Sequence, residues 1–261
     1  MKLLNNKDEK CNEDTYLPGI QLYSVRDEFG DRALSTLKVL SDMGYRTVEF
    51  AGYDGIPALK MHSYLQRLGF KAPASHVSLE KLEGNLEGEI EYAKTVGIHY
   101  LVIPMIEKEV FFNRDEYEKV VNSLRVIGEK VKEHQMQLVY HNHDHEFERL
   151  PNGTLILDQL LLDVGTDVLQ LELDLFWVYK AGFDLVATIM KYKGHVPLIH
   201  MKDMDHSGNS TELGKGVIDY RPLFAMLANV GVHYTFVEQE HFDRPSLESA
   251  KVSLEYLRSF K

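Results

Sequence analysis

The chain has 261 residues, 44% of them hydrophobic and 26% charged, with 40 acidic against 29 basic side chains and a formal charge of -11. This is globular composition with enough apolar residues for a sizeable core, and its acidity argues against a nucleic-acid backbone as the main partner while leaving room for a neutral or phosphorylated small molecule. The lone Cys11 excludes an intrachain disulfide and a cysteine-based metal cluster, and is expected to be a free surface thiol.

Residues 1–17 are polar and lack the apolar stretch of a signal peptide, so they are expected to form a flexible tail ahead of one domain spanning 18–261. No run of about 18 apolar residues is present to cross a membrane. The expected location is cytoplasmic, with a periplasmic or secreted one left open for a chain whose leader has been removed.

From residue 19 the chain alternates. Strand-like runs occupy 19–25, 47–51, 72–77, 100–105, 137–143, 169–175, 196–201 and 234–240. Between them apolar residues recur at spacings of three and four, as in 32–43, where Ala33, Leu37 and Leu40 share a face, and in 117–131, where Val120, Val121, Leu124, Ile127 and Val131 do. Gly44, Gly69, Gly97, Gly194 and Gly231 fall where a helix would end before the next strand, whereas Gly182 is expected to open one. Eight strand–helix units without a linker predict an α/β fold, a single (β/α)8 TIM barrel. A doubly wound open sheet is the alternative. Its nucleotide-binding form carries a glycine fingerprint after the first strand, where this chain has Leu22-Tyr23-Ser24-Val25-Arg26-Asp27.

In such a barrel the active site lies at the carboxyl ends of the strands. Polar residues collect there: Gln21, Tyr23 and Arg26, then Glu49, His76, His141 and His143, Glu172 and Asp174, His200, Lys202 and Asp203, and finally Glu238 and Glu240. The fourth strand ends in Pro104 and Met105 and is expected to contribute little. Unpartnered burial of so many charges is costly, and a divalent metal with a hydroxylated ligand would satisfy them. His141, Asp174, His200 and Glu238 form the expected metal set, two imidazoles and two carboxylates from four consecutive strands. Mixed nitrogen and oxygen donors suit one Mn, Zn, Co, Ni or Fe ion better than Mg or Ca, and a set charge of about -2 balances a divalent ion. Taken singly, each of the four reads as well as a structural hydrogen-bonding residue, or for Asp174 a helix cap; their equivalent positions favour the metal.

Several stretches taken together resemble the sugar phosphate isomerase/epimerase superfamily, with xylose isomerase-like barrels. They are Gly19-Ile20-Gln21-Leu22-Tyr23-Ser24-Val25-Arg26-Asp27, Val48-Glu49-Phe50-Ala51-Gly52, Tyr140-His141-Asn142-His143-Asp144, Asp174 with Trp177, His200-Met201-Lys202-Asp203, Glu212-Leu213-Gly214-Lys215-Gly216, and Val237-Glu238-Gln239-Glu240. The resemblance implies one divalent metal held by Glu, Asp, His and Glu on strands five to eight. Asp174, His200 and Glu238 match the last three, and His141 stands where relatives keep the first Glu. That departure puts a symmetric two-glutamate epimerisation in doubt.

The remaining roles follow as expectations. Glu238 or Glu240 takes a proton next to a carbonyl, and His143 and Lys202 polarise or protonate substrate oxygens. Gln21, Tyr23, Glu49, His76 and Trp177 contact the substrate. For Lys202 a salt bridge with Glu240 or Asp203 is an equal alternative. The loop at 212–216 lies where barrels often bind phosphate, but a lone G-x-G with Lys215 and no arginine cluster does not carry a phosphate site, and 205–211 reads as a mobile lid. The leading expectation is an isomerase or epimerase of a sugar or keto-sugar, working through a metal-stabilised enediolate. A dehydratase or lyase of a keto-sugar, keto-glycoside or cyclitol is the runner-up, and an apurinic endonuclease or a non-catalytic sugar-binding barrel comes last. The expected partner is one small sugar-like substrate, with no nucleic acid and no membrane, and a homo-oligomer left open.

Overall fold

Strands covered on both faces need apolar side chains on both, which the eight runs supply. A computed structural model describes residues 17–259; Cys11, expected as a free thiol, and all but the last residue of the expected tail fall outside the described residues. Eight strands close a parallel ring: β1 (Gly19–Gln21), β2 (Thr47–Phe50), β3 (Lys71–His76), β4 (Tyr100–Ile103), β5 (Gln137–His141), β6 (Leu169–Asp174), β7 (Leu198–Met201) and β10 (Tyr234–Val237). Each pairs with its neighbour in this order, and β10 pairs with β1. Between β7 and β10 a small antiparallel hairpin joins β8 (Asp203–Met204) to β9 (Ser210–Thr211). The helices are α1 (Ala33–Met43), α2 (Ala58–Leu68), α3 (Leu79–Val96), α4 (Arg114–Glu133), α5 (Ile156–Val164), α6 (Leu175–Lys180), α7 (Leu185–Lys191), α8 (Arg221–Leu227) and α9 (Ser246–Arg258). This is the (β/α)8 barrel that the alternation predicts. No helix among the described residues is long and apolar enough to cross a membrane.

The period of two sorts the core into shells. Leu138 and Tyr140 of β5, Leu171 and Leu173 of β6, and Ile199 and Met201 of β7 join the main core with the helices. Val139, Leu198 and Phe236 instead fill the barrel with Ala74, Tyr100 and Val102. The interior positions beyond this apolar plug are polar, and they form the site.

Several strands end earlier than the apolar runs suggest, because side chains take over from the ladder. After Gln21 the chain turns into a 3-10 segment, Leu22–Glu28, whose first free amide, Tyr23 N, donates to Gln21 Oε1. After His141 the Asn142 side chain replaces strand pairing, accepting from Asp174 N at 3.0 Å and donating to Asp174 O. Gly182 does not open a helix. With φ at 82° it follows α6 just as Gly44, at 114°, follows α1, and α7 is opened by Asp184, whose carboxylate accepts from Ala187 N.

Candidate metal centre and active site

A cleft of about 550 Å3 opens at the carboxyl ends of the strands, lined by Tyr23, Ala51, Gly52, His76, Val77, Ser78, Lys81, Pro104, Met105, His141, His143, Glu238 and Glu240. Of the residues expected to touch substrate, Tyr23 and His76 line it. Gln21 and Glu49 do not: both are fully buried, and Gln21 Nε2 donates to Glu49 Oε2 at 2.9 Å. Trp177 is not in the lining either; its ring lies 5.1 Å from that of His143 and 5.4 Å from Lys202 Nζ. The fourth strand contributes more than expected, since Pro104 and Met105 supply an apolar wall.

Beneath the cleft two polar layers meet. In the upper one, His141 Nε2, Asp174 Oδ2, His200 Nδ1 and Glu238 Oε2 converge: His141 and His200 stand 3.7 and 3.9 Å from Asp174 Oδ2, and His200 stands 2.9 Å from Glu238 Oε2. One donor atom from each of the four lies within 4.8 Å of those from the others, and all four residues are buried. In the lower layer Glu172 Oε2 lies 2.7 Å from His76 Nε2, 3.1 Å from His141 Nδ1 and 3.1 Å from His200 Nε2, and Glu49 Oε2 lies 2.5 Å from His200 Nε2.

The two layers assign the ring nitrogens. An ionised carboxylate only accepts, so His141 donates through Nδ1 to Glu172 and its Nε2 lone pair faces upward. A carboxylate behind each ring, with the opposite nitrogen aimed at further donors, is the arrangement of metal-ligating histidines. His76, His141, Glu172 and His200 form a second group with metal-binding spacing. In it, however, Glu172 already accepts from His76 and His141, and His200 Nε2 is taken by Glu49. The upper set fits a divalent ion better: its Asp174 Oδ2 is buried and takes no hydrogen bond from either imidazole, its close contact being the Lys202 ammonium at 2.9 Å, and two carboxylates with two neutral imidazoles balance a charge of two.

The charges follow the same division. Burial and the neighbouring Glu172 push Glu49 up to about 7 against the pull of His76 and His200. Burial also raises Glu172, but His200 and His76 outweigh it and hold Glu172 well below the usual carboxylate range. Burial alone would lower His200, yet Glu172, Glu49 and Glu238 hold it well above its ordinary value. This ring must lose its Nδ1 proton before it can ligate. Burial dominates at His141, which is held low and neutral, and at His143, which is lowered too and whose Nδ1 is buried without a partner.

Lys202, 1% exposed, places Nζ 2.9 Å from Asp174 Oδ2, 2.8 Å from Glu238 Oε2 and 2.5 Å from Glu240 Oε1. These carboxylates overcome burial and keep it charged. Asp203 is not its partner. The Asp203 carboxylate accepts from the N–H groups of Gly214, Gly216 and Ile218. The glycine loop therefore wraps a carboxylate of its own chain, and the amides a phosphate would use are taken. Residues 205–211, expected as a lid, belong mostly to the β8–β9 hairpin, and Ser210 Oγ accepts from Glu240 N and His241 N.

Sequence reasoning noted Glu172 without giving it a role, and passed over Glu146. Glu146 is fully buried, and its carboxylate accepts from Tyr140 OH and from His143 N, which fixes the loop that carries His143.

The comparisons with known proteins agree with the barrel fold. A family model described as xylose isomerase-like TIM barrel matches residues 37–260. Inosose dehydratase of Lacticaseibacillus casei is 26% identical over 153 residues, 49% of this chain and 49% of the relative. Inosose dehydratase of Geobacillus thermodenitrificans (strain NG80-2) is 23% identical over 228 residues, 77% of this chain and 69% of the relative. In most such curated relatives the match spans about half their length. Among solved structures, a sugar phosphate isomerase/epimerase from Parabacteroides distasonis ATCC 8503 shares the fold with a TM-score of 0.79, at 23% identity and 93% coverage of both chains. The IOLI protein, solved with a zinc atom, shares it with a TM-score of 0.73, at 16% identity, covering 93% of this chain and 96% of that one.

Proposed function

The chain belongs to the xylose isomerase-like TIM barrel family, and on that premise we propose that it is a metal-dependent dehydratase or lyase acting on a keto-polyol such as an inosose or a keto-sugar. The observation that carries this reading is an asymmetry in the cleft. Glu238 and Glu240 are both tied to Lys202, at 2.8 and 2.5 Å, while His143 Nδ1 has no partner and its ring is neutral. His76 and His141, the other cleft histidines, are engaged by Glu172. Moving a proton between two faces of one carbon needs two free bases. Eliminating a group beside a carbonyl needs one base and a fixed cation. The relatives named inosose dehydratase support the same choice.

In this reading His141, Asp174, His200 and Glu238 hold the ion, and Glu172 and Glu49 orient the two imidazoles. Bound there, a Mn, Zn, Co, Ni or Fe ion supplies Lewis-acid polarisation that makes the C–H beside a substrate carbonyl acidic. His143 takes that proton, breaking the C–H bond. The Lys202 ammonium holds the negative charge that develops on the neighbouring oxygen, and Glu240 holds the ammonium. As the C=C bond forms and the β C–O bond breaks, the His143 imidazolium returns its proton to the departing hydroxyl, which leaves as water. The base is thus His143 rather than Glu238 or Glu240. Pro104, Met105 and Val77 give the ring an apolar wall.

The test is to incubate metal-loaded protein with an inosose and a panel of keto-sugars in deuterated water and follow the products by NMR. An unsaturated product lacking one water supports the proposal. Recovered substrate that is deuterated and inverted at the α-carbon, with no water lost, would make the protein an epimerase instead.

A further inference from the structure

We propose that Lys202 is the resident counter-cation of the metal site: it competes with a divalent ion for Asp174 Oδ2 and Glu238 Oε2, and passes to Glu240 when the ion binds. This rests on the reading of His141, Asp174, His200 and Glu238 as the donor set, and adds a device that the donor set does not require.

The geometry makes the competition direct. Lys202 Nζ lies 2.9 and 2.8 Å from the same two carboxylate oxygens that face the imidazoles. A divalent ion binds such oxygens at about 2.0–2.2 Å, so an ammonium sharing both would stand within a few ångströms of it, cation against cation. The lysine backbone cannot yield. The buried Tyr220 hydroxyl accepts from Lys202 N at 3.2 Å and donates to Lys202 O at 2.6 Å, pinning the peptide groups on both sides of the Cα. Only the side chain can move.

Its alternative partner is ready. Glu240 lies outside the donor set, with its Oε1 2.5 Å from Nζ. The backbone of Glu240 is fixed from two directions, its N–H donating to Ser210 Oγ at 2.9 Å and its carbonyl accepting from Arg26 NH2 at 2.9 Å. The Glu240 side chain is 37% exposed and lines the cleft, whereas Asp174 is buried beneath it. An ammonium that leaves Asp174 and Glu238 for Glu240 therefore turns toward the substrate. Loading the metal and presenting the electrophile become one event, and the ion takes over the two carboxylates that the ammonium leaves.

Cobalt titration of the full chain tests this, reading Co2+ affinity from d–d absorption and chelator competition for wild type, Lys202→Met, Glu240→Gln and the double variant. Lys202→Met should bind Co2+ about tenfold more tightly and Glu240→Gln about tenfold more weakly, with Glu240→Gln nearly silent once Lys202 is gone. Equal weakening by Glu240→Gln in both backgrounds would show a general field effect and overturn the hand-over. Unchanged affinity in Lys202→Met would overturn the competition. Should Lys202→Met fail to fold in chelator, Lys202→Gln carries the same expectation with a neutral donor left for Glu240. Absence of Co2+ binding by wild type and by the lysine variants alike would instead defeat the donor set itself.

Discussion

Glu172→Gln is the sharpest probe of the site, because the substitution keeps shape and volume and changes only what the oxygen can do. Glu172 Oε2 accepts from His141 Nδ1 at 3.1 Å and lies 3.1 Å from His200 Nε2, whose own hydrogen bond goes to Glu49 Oε2, so its loss frees one proposed imidazole ligand and leaves the other held. A charge-assisted hydrogen bond contributes about 1.5 kcal/mol, so losing the one behind His141 gives roughly tenfold weaker metal binding. That estimate meets the lower end of the roughly 10- to 100-fold effects seen for groups behind metal ligands. The amide also does harm of its own. If its NH2 faces His141 Nδ1, the ring must move its proton to Nε2, the nitrogen that faces Asp174. The assay is Co2+ or Zn2+ titration with chelator competition, alongside circular dichroism to confirm folding. Wild-type affinity in Glu172→Gln, with binding abolished in Asp174→Asn, would refute the orienting role and leave Glu172 a packing residue.

Three further outcomes are expected. His143→Ala should lower kcat by roughly 10²–10⁴ with metal content unchanged, and retained activity would move the base elsewhere. Gly216→Ala places a methyl group against the Met204 carbonyl oxygen and the Asp203 carboxylate, so it should cost about 1–3 kcal/mol, read as a lower urea midpoint at unchanged m; an unmoved midpoint would mean that the loop is not clamped by Asp203. At the opposite end of the barrel, burial lowers both His99 and His233, and Tyr100 OH lies 2.6 Å from His233 Nδ1. Their folded pKa values lie below the unfolded one, so the unfolded chain binds more protons as pH falls, and the stability they contribute is present above about pH 6.5 and lost below it. The His99→Gln, His233→Gln double variant should therefore lose less stability than wild type between about pH 7 and pH 5, and parallel urea-midpoint curves would contradict this.

The barrel was legible because its determinants are local. Apolar period two in strands, period 3.6 in helices and glycine at helix ends are all written within ten to twenty residues of one another. What misled were places where a side chain finishes a backbone job. Nothing near Gly182 distinguishes a helix start from a helix end until Asp184 is seen accepting from Ala187 N. The lid expected at 205–211 and the phosphate-like glycines at 214 and 216 both depend on Asp203, a residue whose sequence neighbours suggest catalysis but whose carboxylate closes a loop 11 to 15 positions away.

The site shows the same boundary more finely. Alternation along β6 puts Glu172 and Asp174 on one face, and the sequence can say no more about which of them meets a metal. Depth decides it, and depth is a property of register between strands. Asp174 pairs with His200 across the β6–β7 ladder, while Glu172 pairs with Leu198, at the level of the apolar plug. A carboxylate level with an imidazole can share a ligand with it. A carboxylate one layer below sits behind the ring and can only hold it. The same two-residue step separates His200 from Lys202 and Glu238 from Glu240, so in the proposed site each of three strand ends offers one group to the ion and another to orient or counterbalance it. Substituting the two members of each pair separately should split accordingly: Asp174, His200 and Glu238 variants lose metal outright, whereas Glu172, Lys202 and Glu240 variants shift its affinity in graded and, for Lys202, opposite directions.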